Sequence, residues 1–113
     1  MYVVGWLVCV DGSNRGRDYT IHTGINTIGS GDDMDIQILG DNKIAARRHA
    51  MIAFDDKKLE FSLLPGESSG MVYLEEQAIY KPTEVDDRMI IEIGDTKLMF
   101  IPLCGEEHKW DDM

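Results

Sequence analysis

The sequence predicts an all-β domain, either a sandwich or a barrel of short strands. Three observations lead there. The apolar residues come as short runs of Val, Ile, Leu, Met and Phe, a composition that suits a pleated surface. Gly, Asp, Asn and Pro separate those runs at short intervals. No stretch keeps a helical apolar repeat: the best candidate, Asn42 to Met51, is short and runs into a β-branched, aromatic segment.

The elements follow in order. Val3 to Val10 reads as a buried first strand, closed by the turn pair Asp11-Gly12. Tyr19 to His22 places Tyr19 and Ile21 on one face. Gly24 turns the chain into Asn26 to Gly29, and Asp35-Ile36-Gln37-Ile38 alternates polar with apolar. Gly40-Asp41-Asn42 is another turn. His49 to Phe54 and Lys58 to Leu64 form a hairpin about Asp55-Asp56-Lys57, with Leu59, Phe61 and Leu63 on one face. Pro65-Gly66 ends that strand. Met71 to Leu74 and Ala78 to Tyr80 are shorter candidates. Met89 to Ile93 carries Met89, Ile91 and Ile93 on one face, and Gly94-Asp95 turns into a last strand, Lys97 to Leu103.

A chain of 113 residues has room for one ordinary domain. The expected division is a domain over 1–105 and a polar tail over 106–113, in which Trp110 is the one residue suited to fold back. Met1 followed at once by a strand implies a free-standing domain. The net charge is −10, which disfavours nucleic acid and anionic membrane as partners. The acidity is uneven: residues 1–50 hold five basic and six acidic side chains, and residues 51–113 hold six and fifteen. An anion site therefore belongs in the first half. Cys9 and Cys104 lack disulfide-framework and zinc spacing, so they read as reduced, buried thiols of a cytoplasmic protein. A bridge between them requires the first and last strands to be neighbours. The run Tyr2 to Val10 is about half the ~20 residues of a spanning helix, and it lacks the basic flank of a signal peptide.

Several segments then fall together. Gly16-Arg17-Asp18-Tyr19-Thr20-Ile21 and Gly24-Ile25-Asn26-Thr27-Ile28-Gly29 resemble the opening of a forkhead-associated (FHA) domain. Asp35-Ile36-Gln37-Ile38 stands where that family has a short strand. Ile44-Ala45-Ala46-Arg47-Arg48-His49-Ala50-Met51-Ile52 resembles its Ser-x-x-His stretch and the strand beyond, and Met89 to Phe100 resembles its closing strand pair. The resemblance covers roughly one whole domain. It implies an antiparallel two-sheet β-sandwich of the SMAD/FHA type, in a bacterial-type stand-alone form with no cofactor and no enzymatic activity. It also implies a protein partner, most often one carrying phosphothreonine, met by loops at one end of the sandwich and commonly in kinase and phosphatase signalling. A phosphate offers nearly two negative charges and three acceptor oxygens, best held by an arginine fork, a hydroxyl and loop N–H groups.

The sequence departs from that pattern at the residues that matter. The family's phosphate-binding arginine follows the glycine of the Asn-x-Ile-Gly stretch; here that position is Ser30, followed by Gly31. The family's serine corresponds to Ala46 counted back from His49, or to Ala45 counted from Ile44. The asparagine-glycine pair of a later loop corresponds to Glu75-Glu76. Each lost charge-assisted hydrogen bond costs on the order of 1.5–3 kcal/mol, so the resemblance implies a degenerate phosphothreonine site. Lys43, Arg47 and Arg48 supply a basic cluster in the same stretch, and with Ser30 they define the alternative, a rebuilt phosphothreonine reader. Basic residues on an exposed loop of an acidic chain more often sit solvated or paired. His49 takes the structural role of the family's histidine, tying loops together. Asp32-Asp33-Met34-Asp35 lacks the glycine and terminal glutamate of a calcium loop and reads as a solvated turn. The reading favoured by the sequence is a non-enzymatic interaction module with a weakened or lost phosphothreonine pocket, meeting its partner through the loop end or a sheet face.

Overall fold

The computed structural model describes residues 1–111; residues 112 and 113, the end of the expected tail, lie outside the described residues. Eleven strands occur among the described residues: β1 (Val3–Asp11), β2 (Asp18–His22), β3 (Gly24–Gly29), β4 (Ile36–Gln37), β5 (Ala50–Asp55), β6 (Glu60–Pro65), β7 (Val72–Leu74), β8 (Gln77–Ala78), β9 (Thr83–Glu84), β10 (Ile90–Ile93) and β11 (Thr96–Pro102). They build two sheets, ordered β2-β1-β11-β10-β7-β8 and β4-β3-β5-β6-β9. Every pairing is antiparallel except β3 with β4. The all-β reading therefore resolves into a sandwich. The strand β9 is not evident in the sequence, because two residues after a proline cannot display a period.

Alternation along the strands fills the space between the sheets. Leu7 and Cys9 of β1 stand beside Leu98 and Phe100 of β11, while Ile52, Phe61 and Leu63 line the other sheet; all are buried. Phe61 meets Phe54 and Phe100 with ring centroids 4.6 Å apart in each pair, so an aromatic row joins the sheets. Asn26 is 3% exposed and fully employed: its amide donates to the His22 and Ile52 carbonyls and its Oδ1 accepts the His22 N–H. That side chain closes the turn between β2 and β3.

Cys9 and Cys104 are free and buried. β1 and β11 are neighbours, as a bridge would require, yet Cys9 faces Leu98 whereas the Cys104 N–H bonds to Val4 near the other end of β1. Trp110 folds back, stacking on Tyr2 at 5.3 Å and donating its indole N–H to the Val3 carbonyl.

The strand order gathers the β1–β2, β3–β4, β4–β5, β6–β7 and β10–β11 connections at one end. Ser13 donates its hydroxyl to the Gly40 carbonyl, and Asp41 reaches the Asp95 N–H. The β7–β8 hairpin turns instead on Glu75 and Glu76, both left-handed with φ of 49° and 68°. Asn-Gly is the usual occupant of such a turn. Replacing Glu76 with glycine removes a left-handed penalty of about 1 kcal/mol. Glu76→Gly should therefore raise the thermal midpoint by several degrees in a calorimetric scan, and an unchanged or lower midpoint would contradict the strain.

Candidate functional site

His49 is the joint of the loop end. It is 1% exposed, held at the start of β5 by its N–H bond to the Ile28 carbonyl. The Ala45 N–H donates to its Nδ1 at 3.0 Å, and Nε2 lies 3.0 Å from the Met71 carbonyl. A backbone N–H requires an acceptor at Nδ1, so the proton sits on Nε2 and is donated to Met71. One ring thereby fastens the β4–β5 loop to the β6–β7 loop. Two glycines permit it. A Cβ on Gly70 would stand 2.5 Å from the imidazole Cε1, and one on Gly66 would stand 1.7 Å from the Arg48 carbonyl oxygen.

The β3–β4 and β4–β5 loops are zipped by their backbones. Ser30 N–H donates to Ala45 at 3.0 Å and Gly31 N–H donates to Ala46 at 2.8 Å. Both N–H groups of the Ser30-Gly31 pair are therefore satisfied within the loop end. The Ser30 hydroxyl turns onto the Ile44 carbonyl at 3.4 Å. Ala45 is half-buried and Ala46 exposed, and neither brings a polar side chain.

The structure brings Lys43, Arg47 and Arg48 to this end, each against a carboxylate. Lys43 Nζ lies 3.1 Å from Asp95, Arg47 Nε 3.5 Å from Asp33, and an Arg48 guanidinium nitrogen 2.6 Å from Glu67. All three pairs are largely exposed, so each contributes no more than about 1 kcal/mol. Their larger effect is on the field: three cations stand against three carboxylates. Asp33 thus serves Arg47, and Asp35 accepts the Thr27 N–H and hydroxyl, so the acidic turn is occupied. No group of three or more His, Cys, Asp or Glu among the described residues is arranged to hold a metal ion.

Glu75 is not part of this assembly. It accepts the Ile90 N–H from the β7–β8 turn and shares a groove with Val10 and Lys97 on the outside of the six-stranded sheet. The loop that does meet His49 is Gly66–Met71, where Ser68 caps the Gly70 N–H. Its signal was the Ser-Ser-Gly triplet directly before the Met71 to Leu74 run. Asp41 was read only as a turn residue. It is 9% exposed and accepts from the Lys43 N–H, the Asp95 N–H and the Thr96 hydroxyl at 3.0, 2.8 and 2.7 Å. Burial works against its charge, but the Thr96 hydroxyl, the two N–H donors and the Lys43 ammonium together hold its carboxyl below the usual range.

The family model for the FHA domain matches residues 26–94, a span that holds the β3–β4, β4–β5 and β6–β7 loops. No curated protein matches the chain. Among solved structures the chain is similar to an FHA domain from work on phosphothreonine-dependent FHA domain interactions, with 23% identity, 87% of this chain and 95% of that one covered, and a TM-score of 0.74. It is similar to the FHA domain of an Arabidopsis thaliana hypothetical protein at 20% identity, 95% and 92% coverage and a TM-score of 0.78. It is similar, too, to the cytoplasmic domain of the T3SS sorting platform protein PscD from P. aeruginosa, at 19% identity, 97% and 87% coverage and a TM-score of 0.72. At these identities the likeness is one of fold.

Asp41 supplies a direct test of the loop end. Asp41→Ala strands the Thr96 hydroxyl and the Asp95 N–H and should cost about 2–3 kcal/mol near neutral pH. Because the folded carboxyl is held below its ordinary value, its contribution is complete above the usual carboxylate range and fades as pH falls through the folded value. Denaturant midpoints of wild type and variant should converge in acid; a gap constant with pH would contradict this role.

Proposed function

The chain belongs to the FHA domain family, and from that membership we propose that it is a protein-interaction module whose phosphothreonine pocket is weakened or lost. The observation that carries this reading is the state of the loop end. Where a phosphate would need a guanidinium, a hydroxyl and free N–H groups, the chain has Ser30 with its hydroxyl on the Ile44 carbonyl, alanine at 45 and 46, and N–H groups spent on the loop zipper. The three neighbouring cations each face a carboxylate.

The loop end nonetheless keeps its shape. His49, Gly66 and Gly70 hold the loops in register without a phosphate contact. A preformed, charge-balanced rim suits a protein partner that offers mixed polar contacts, because rim charges tune encounter and register more than affinity. No helix among the described residues is long and apolar enough to cross a membrane. In this reading the domain performs no chemistry on its partner, and its place is in signalling assemblies.

Calorimetric titration with a degenerate phosphothreonine peptide pool and its unphosphorylated twin separates the readings. The expected preference for phosphate is within about threefold, less than 1 kcal/mol. A preference of tenfold or more, abolished by Arg47→Ala or Arg48→Ala, would establish the rebuilt reader that uses Lys43, Arg47, Arg48 and Ser30. Ser30→Arg restores the missing fork and should raise phosphopeptide affinity by about tenfold or more. No gain from that substitution would show that Ser30 does not mark the pocket.

A further inference from the structure

A second surface lies away from the loops, on the outer face of the six-stranded sheet. Alternation in β1, β10 and β11 sends one set of side chains into the core and the other outward. The register lines the outward set into rows. Trp6 stands beside Ile101; Val8 stands beside Met99, and Met99 beside Ile90. All five are half-buried, on the opposite side of their strands from the core residues Leu7, Ile91, Leu98 and Phe100. The rows make a continuous, partly accessible apolar stripe on a chain of net charge −10.

Toward the loops the rows run into a groove of about 520 Å³. Val10 and Ile90 supply apolar floor and the cross-strand pair Glu92 and Lys97 a charged one. Asp11 and Arg15 border it on one side, Glu75 and Glu76 on the other. Four carboxylates thus face two cations. Glu75 and Glu76 occupy consecutive left-handed positions that favour Asn-Gly, so the carboxylates are held there at a cost to the backbone.

We propose that this face docks a basic amphipathic helix of a partner protein, with its apolar side on Trp6, Val8, Met99 and Ile101 and its cations toward Glu75, Glu76 and Glu92. The dimensions agree. Three neighbouring strands span two gaps of ~4.8 Å, close to the ~10 Å diameter of a helix. From Trp6 to Val10 the stripe runs about 14 Å, the length of roughly nine helical residues. Charge selects the partner. A second copy of this chain would bring another ten negative charges to the face, whereas a basic segment is drawn to it. The proposal does not depend on the state of the phosphothreonine pocket, which lies at the loop end.

The test is an NMR titration of the labelled protein with a synthetic helix of about 18 residues, long enough to form in isolation, patterned with Leu on one face and Lys on the other. Its twin carries Glu for Lys. The expected result is shifts at Trp6, Val8, Met99 and Ile101 with the Lys peptide alone, lost in Met99→Glu and weakened by ~3- to 10-fold in the double variant E75N/E76G. That double variant places turn-favouring residues in the hairpin, so loss of fold does not confuse its reading. Shifts confined to the loop end, equal binding of the Glu twin, or no shifts on the sheet face would overturn the proposal. Sedimentation showing a dimer that Met99→Glu dissociates would overturn it in favour of a second copy.

Discussion

The hydrogen bonds of His49 are the constraint on which the loop end depends. A buried imidazole accepts from Ala45 and donates to Met71, so a loop of the five-stranded sheet and the loop that crosses from it to the six-stranded sheet share one rigid ring. The β3–β4 loop joins them through the zipper of Ser30 and Gly31 onto Ala45 and Ala46. Gly66 and Gly70 are required by how closely the β6–β7 loop passes Arg48 and the ring. Asp41 adds a second anchor, tying the same β4–β5 loop to the β10–β11 turn. Loops that would otherwise sample many conformations are thereby set on the sandwich before any partner arrives, which lowers the ordering cost of binding.

That rigidity separates two properties that a phosphate reader combines, shape and charge. The shape is retained. In the proposed reading the charge is not, because Lys43, Arg47 and Arg48 are matched by Asp95, Asp33 and Glu67 and because Ser30 has no charge to give. The ion pairs are exposed and individually weak, so they are not what holds the loops. They balance the rim, and in the proposed reading that balance weakens its pull on a doubly charged phosphate.

Much of this was legible in the sequence, and the misses have physical causes. A continuous apolar run made β1 visible and alternation made β6 visible, because each buries most of one face. The spacing of Asn26, Gly29 and His49 placed the loops, because those residues meet backbone demands that few others can. The two-residue strand β9 carries too little pattern to read unaided, and the candidate Ala78 to Tyr80 meets β8 (Gln77–Ala78) only at Ala78. Glu75 was assigned to the wrong loop, since a hairpin turn and a binding loop both show as polar breaks between short apolar runs. Pairing of the loop cations is expected from the sequence, but the partner of Lys43 is not: Asp95 is 52 residues away, and only the fold brings them together. Asp41 looked like a turn residue, and its burial depends on Gly94 and Thr96 far along the chain.

The two proposed recognition surfaces differ in kind. The loop end is rigid, polar and balanced; the outer face of the six-stranded sheet is apolar and bordered by carboxylates. The central claim concerns the first of these, that its cations are committed to internal partners. The most direct measurement follows the side-chain N–H and ammonium signals of Arg47, Arg48 and Lys43 by NMR while a phosphothreonine peptide is added. Signals that hold their positions as the peptide is raised to millimolar concentration are the predicted result. Saturable shifts at two or more of the three, absent with the unphosphorylated peptide, would contradict it and return the domain to the phosphothreonine readers.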